Sequence, residues 1–178
     1  MEACDLVVFG TQGDLARRKL IPSLYQLEKA ELIAPDTTIV GVARRESTTE
    51  GYVALARESL ERFMKEPIDS TVWERFARRL RYAQIDLMQP DHYSRLQAKV
   101  DQELRETVNY LAVSPALFGP ICQGLAAAGL ATDRARVVLE KPIGTDLASS
   151  RLINDAVGAF FDEGRCTAST TISPRKRY

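Results

Sequence analysis

The chain has 178 residues, enough for one sizeable hydrophobic core and not clearly for two. Apolar residues make up 45% and charged residues 27%, and 24 basic side chains offset 24 acidic ones, so no global charge argues for nucleic acid or an anionic membrane as partner. No apolar run reaches the length of a membrane span, and the residues from Met1 to Asp5 lack the basic flank and apolar core of a signal peptide.

In chain order, residues 5–9 form a compact apolar run closed by Gly10 and read as a buried strand. Leu15, Leu20, Leu24 and Leu27, spaced among charged residues, predict a helix over 15–30. A second strand is expected over 38–43, with helices over 49–64 and 69–79. A third strand follows over 80–85, a helix over 91–104, a fourth strand over 107–112 and a helix over 115–128. A fifth strand over 136–139 precedes an amphipathic helix over 147–161. Strands that alternate with helices predict an α/β fold, a doubly wound, Rossmann-like parallel sheet, because parallel neighbours need helical crossovers. Residues 1–164 are assigned to this domain. Residues 165–178 lack apolar periodicity and read as a disordered tail or a poor edge segment, which leaves the sheet without its last strand. Cys4, Cys122 and Cys166, widely spaced and odd in number, suit neither a disulfide framework nor a metal site and fit a reducing cytoplasm.

Between the first strand and the first helix lie Gly10, Thr11, Gln12, Gly13, Asp14, Leu15 and Ala16. Glycines there permit a tight turn and close backbone approach, and the helix N-terminus offers N–H groups to an anion, which is how dinucleotide folds hold a pyrophosphate. The spacing is Gly-x-x-Gly-x-x-Ala, so a plain strand-to-helix turn capped by Asp14 is the alternative. The second strand ends in Ala43, Arg44 and Arg45, with Glu46 only afterwards. An acidic residue at that point serves the ribose hydroxyls of NAD, whereas an arginine suits the 2′-phosphate of NADP through paired hydrogen bonds. The position favours NADP over a solvated basic pair.

Four segments stand in a fixed order: Gly10 to Tyr25, Ile39 to Arg44, Asn109 to Pro115, and Val137 to Gly144 with Asp146, Leu147, Ser149 and Ser150 following. Together they resemble the glucose-6-phosphate dehydrogenases, the bacterial branch above all, from about Asp5 to about Glu163. The resemblance implies a pyrophosphate turn built from Gly10, Thr11, Gln12, Gly13, Asp14 and Leu15, with Arg44, aided by Arg45, on the 2′-phosphate. It places Asp86 and Leu87 on the adenine side and Lys19 towards the substrate phosphate. Lys141 would lie between nicotinamide and sugar, contacting both cofactor and substrate, where a compact cation can orient a hydroxyl; read without the family, it is as readily a surface lysine. Pro142 would fix the adjoining backbone. Ser114-Pro115 stands where the family commonly has two prolines, a mild departure.

The implied function is an oxidoreductase reaction of glucose metabolism: glucose 6-phosphate plus NADP⁺ to 6-phosphogluconolactone plus NADPH, the entry to the pentose phosphate pathway in the cytoplasm. The family adds a second, α+β domain that carries the base histidine, most of the sugar site and the dimer interface. This chain is therefore expected to hold the NADP-binding part only and to be inactive alone, no catalytic residue being assigned within it. A non-catalytic nucleotide-binding fragment or a non-functional product is the alternative. His92, the only histidine, matches neither family histidine and is expected to be solvated.

The segment after Gly164 allows a sharper reading. If residues 165–173 are back-translated and read from the last base of the Arg165 codon, the triplets permit Val-Tyr-Arg-Ile-Asp-His-Tyr-Leu, the family's substrate signature at its expected place. The next two triplets cannot encode the glycine that should follow. Residues 165–178 are accordingly expected to be a frameshifted translation, with a divergent natural tail as the alternative.

Overall fold

Val7 and Phe9 of β1 (Cys4–Phe9) point to one side of a sheet and Val8 to the other, as the two-residue period of a strand requires. Both sides are buried, which explains why residues 6–9 form an unbroken apolar run. The computed structural model describes residues 2–140 and 146–169. Among the described residues six strands lie in the order β3-β2-β1-β4-β5-β6, every neighbouring pair parallel. They are β2 (Thr38–Ala43), β3 (Leu80–Gln84), β4 (Glu106–Leu111), β5 (Ala135–Glu140) and β6 (Cys166–Ser169) besides β1. Successive strands run outward from β1 in one direction and from β4 in the other. The crevice at the carboxyl ends of β1 and β4 is thus the switch point at which such sheets bind ligands.

One face is covered by α1 (Ile21–Lys29), α2 (Thr49–Phe63) and α3 (Ser70–Arg79), whose Tyr25, Tyr52, Leu60 and Phe76 pack on Val8, Ile39 and Leu80. The other is covered by the short α4 (Ser94–Gln97), by α5 (Phe118–Ala127) and by α6 (Leu147–Gly158). There Leu96, Phe118, Ile121, Leu125 and Val157 meet Phe9, Val42, Leu111 and Val137. Two buried acids lock the layers. Asp5 accepts from Thr38 Oγ1, from the Asp101 N–H at 2.6 Å and pairs with Arg105 at 3.1 Å, joining β1, β2 and the approach to β4. Glu28 of α1 takes Arg75 at 3.2 Å and Arg79 at 2.8 Å, both from α3. Among the described residues no helix is long and apolar enough to cross a membrane.

Three expectations are corrected. The sheet, expected to lack its last strand, has a sixth: residues 166–169 pair in parallel with Val137 to Glu140. This part of the segment read as a disordered tail or a poor edge segment is thus an edge strand, while residues 170–178 fall outside the described residues. Arg165 anchors the approach by donating to the Thr132 carbonyl at 2.8 Å. The open edge of β5 supplies hydrogen-bonding groups to any extended segment, and apolar patterning of that segment is not needed. The helix expected over 91–104 shrinks to one 3₁₀ turn, Pro90–Tyr93, and α4. Beyond it the Asp101 carboxylate accepts the Leu104 N–H at 3.1 Å and the Asp101 N–H goes to Asp5, so residues 101–104 form a turn and not a helix. His92 is half-buried, and its Nδ1 accepts the Asp86 N–H at 3.2 Å, so it is not a solvated side chain.

Candidate functional site

Gly10 follows β1 with φ at +80°, a conformation that side chains strain to adopt. A Cβ there would lie 2.4 Å from the Ala112 carbonyl oxygen and 2.7 Å from Val113 Cγ1, so only glycine lets the turn sit against the end of β4. The Gly10 and Thr11 N–H groups both donate to the Val42 carbonyl, at 2.9 and 3.2 Å, and Gly13 N–H donates back to Gly10 at 2.9 Å. The loop is folded on itself across the ends of β1 and β2.

From this loop the chain enters Ala16–Leu20, wound as a π-helix that closes with the Ile21 N–H on the Ala16 carbonyl, and continues into α1. Pro22 gives the reason: it cannot donate to the Arg18 carbonyl and its ring needs room there, which the wider turn provides. Asp14 does not cap this helix; its carboxylate lies 3.5 Å from Arg18, and among the described residues no side chain caps the helix start. The plain capped turn is therefore not what forms, and the helix head remains open to an anion. Lys19 is exposed on the same segment, beside a cavity of about 510 Å³ lined by Asp14, Leu15, Arg18 and Phe63.

Arg44 and Arg45 are exposed at the carboxyl end of β2, and neither makes an ion pair among the described residues. Their backbone is held firmly all the same. The Tyr82 hydroxyl donates to the Arg45 carbonyl and lies 3.4 Å from that of Ala43, and Gln84 Nε2 lies 3.4 Å from the Arg44 carbonyl. After β3, Asp86 accepts the Met88 N–H at 3.1 Å and the Leu87 carbonyl accepts from Tyr93 at 3.0 Å, which fixes the turn at the same end of the sheet. Lys141 and Pro142 fall outside the described residues. Asp146, just after them, caps α6 reciprocally with Ser149, and those hydrogen bonds hold its carboxyl below the usual range.

Two side chains that support this loop, Tyr52 and Tyr82, escape a reading of the sequence. Thr11 is wholly buried: its hydroxyl donates to Tyr52 at 2.8 Å and its N–H to the Val42 carbonyl. Burial pushes the Tyr52 phenol up to about 12. Tyr52 and Tyr82 pack with ring centroids 6.0 Å apart, and Gln12 Nε2 reaches the Tyr82 hydroxyl at 3.5 Å. The available signal was Gly41, alone within β2: a Cβ there would lie 2.5 Å from the Tyr52 ring.

A turn of this build at the β1–β4 crevice, beside unpaired arginines at the end of β2, fits the pyrophosphate and phosphate of a dinucleotide. A family model described as the glucose-6-phosphate dehydrogenase NAD binding domain matches residues 7–166. The chain belongs to the glucose-6-phosphate dehydrogenase family. It is 52% identical over 162 residues to the glucose-6-phosphate 1-dehydrogenase of Dickeya dadantii, covering 91% of this chain and 33% of that one. It is 45% identical over 171 residues to that of Mycolicibacterium smegmatis, covering 92% and 34%. The solved glucose-6-phosphate 1-dehydrogenase of Mycobacterium avium superposes with a TM-score of 0.87 at 37% identity, over 95% of this chain and 36% of that one. A glucose-6-phosphate dehydrogenase solved in complex with its substrate glucose 6-phosphate gives 0.80 at 27% identity, over 94% and 36%. The chain spans about a third of the length of the curated relatives it matches. For this glucose-6-phosphate dehydrogenase domain the expected α/β, Rossmann-like fold class holds, and so does the expectation of a nicotinamide dinucleotide as cofactor.

Proposed function

We propose that this domain supplies the cofactor side of an enzyme site that oxidises glucose 6-phosphate to 6-phosphogluconolactone, with NADP⁺ in place of NAD⁺. The observation that carries the proposal is the glycine turn at the β1–β4 crevice with Arg44 and Arg45 exposed at the end of β2. When bound, NADP⁺ supplies the hydride acceptor, and the chain orients it. Gly10 to Leu15 hold the pyrophosphate, Arg44 and Arg45 the 2′-phosphate, and the turn at Asp86 and Leu87 borders the adenine. Lys19 and Lys141 serve the substrate side. In this reading the proton acceptor, most of the sugar site and the dimer interface belong to the family's second domain, and the site of action is the cytoplasm. The chain itself is proposed to bind NADP⁺ without turning over glucose 6-phosphate.

Calorimetric titration with 2′,5′-ADP and 5′-AMP tests the cofactor assignment, since the pair differs by the phosphate in question. A charge-assisted contact contributes about 1.5–3 kcal/mol, so 2′,5′-ADP should bind roughly tenfold tighter or better. Equal affinities would sink the choice of NADP. Glucose 6-phosphate-dependent NADPH formation by the purified chain would overturn the assignment of the chemistry to another domain.

A further inference from the structure

We infer that Tyr82 is a positioning residue for the choice of NADP⁺ over NAD⁺, and that Tyr52 next to it serves binding of either cofactor. The inference rests on the proposed NADP site. Tyr82 stands on β3 directly opposite Gly41 of β2 and is 5% exposed. Because Gly41 has no side chain, the Tyr52 and Tyr82 rings fit side by side against the end of β2. Their hydroxyl groups then serve different loops. Tyr52 accepts from Thr11, which belongs to the glycine turn under the pyrophosphate common to both cofactors. Tyr82 donates to the Arg45 carbonyl, in the segment that bears the arginines and that only the 2′-phosphate needs. Gln12 Nε2, 3.5 Å from the Tyr82 hydroxyl, joins the two loops.

A hydroxyl bonded to that carbonyl restricts the backbone before any ligand arrives. The arginines then lose less conformational freedom on closing around a phosphate, and affinity gains by that saving. NAD⁺, which lacks the phosphate, gains nothing from an ordered arginine segment. Tyr82→Phe keeps the ring and its packing and removes only the tether.

The test is fluorescence or calorimetric titration of the full 178-residue chain with NADP⁺ and NAD⁺, for wild type, Tyr82→Phe and Tyr52→Phe. Loss of one neutral hydrogen bond should weaken NADP⁺ about three- to tenfold in Tyr82→Phe, with NAD⁺ unchanged. Tyr52→Phe should weaken both cofactors by the same factor, leaving their ratio as in wild type. A general loss of stability moves both affinities together, so the ratio separates positioning from damage. If wild type shows no preference for NADP⁺, the underlying cofactor reading fails. If wild type prefers NADP⁺ and Tyr82→Phe keeps the same ratio, the role of Tyr82 fails. Should Tyr82→Phe not fold, Gln84→Ala, which frees the Arg44 carbonyl from the same strand, must lower the ratio, and an unchanged ratio there overturns the inference equally.

Discussion

Arg44 combines an exposed side chain with a backbone carbonyl that Gln84 Nε2 approaches at 3.4 Å, and on that ground we propose it as the ligand of the 2′-phosphate. Arg44→Ala should therefore cost NADP⁺ about 1.5–3 kcal/mol of binding and NAD⁺ little, by titration of both cofactors. Equal losses would show that the arginine acts on the fold. Tyr52 lends itself to a pH test. Its phenol is raised by burial, with Thr11 pulling the other way, from an ordinary 10.0 to about 12. The folded state thus holds this proton more tightly than the unfolded chain does. The corresponding stability is complete below about pH 10 and is lost as pH rises through about 12. Denaturant titrations between those limits should show stability falling with pH, and Tyr52→Phe should flatten the slope. An unchanged slope would mean that other groups govern the alkaline transition.

At the scale of elements, α1 and α3 are joined by one carboxylate. The Glu28 side chain is 4% exposed and neutralises Arg79, itself 11% exposed, and Arg75, which is 40% exposed and screened by water. Removing one partner of a buried pair costs about 3–5 kcal/mol. Arg79 Nη1 keeps the carbonyls of Ala34, Pro35 and Thr37 at 2.7, 2.8 and 3.0 Å, so Glu28→Ala belongs at the lower end of that range. Chemical denaturation is the measurement, and a change below about 1 kcal/mol would show that solvent already screens the cluster. Glu28 reads in the sequence as one more charge on an amphipathic helix. Only the approach of α3 turns it into a buried staple. The same holds for Asp101, whose N–H is bonded by Asp5, far away in the chain.

For the whole molecule, the sixth strand raises the question of what residues 166–169 are. They complete the sheet with Cys, Thr, Ala and Ser, residues with little apolar bulk for an edge that packs against β5. Shifting the reading frame by one base permits Val-Tyr-Arg-Ile at the same four positions, which suits a strand far better. We propose that the gene carries a one-base frame error near the Arg165 codon. DNA sequencing across that codon should show an open frame continuing into a second domain once the base is corrected. An unrelated sequence in that frame would refute the error and make the tail a natural variant.

The sequence alone determined the alternation of the first five strands with most of the helices, because burial on both faces leaves short, mainly apolar runs such as residues 6–9 and 39–43, while helices show spaced leucines. It also determined the glycine turn, since a left-handed turn needs glycine whatever the surroundings. The tertiary structure decided what depends on residues distant in the chain. It seated Tyr52 over Gly41, tied Tyr82 to Arg45, gave His92 to the Asp86 backbone and drew residues 166–169 into the sheet. Each of these is a contact between segments whose spacing carries no periodic signal. The hydrogen bonds form because the fold leaves a donor facing an acceptor, and that placement exists only after the chain has packed.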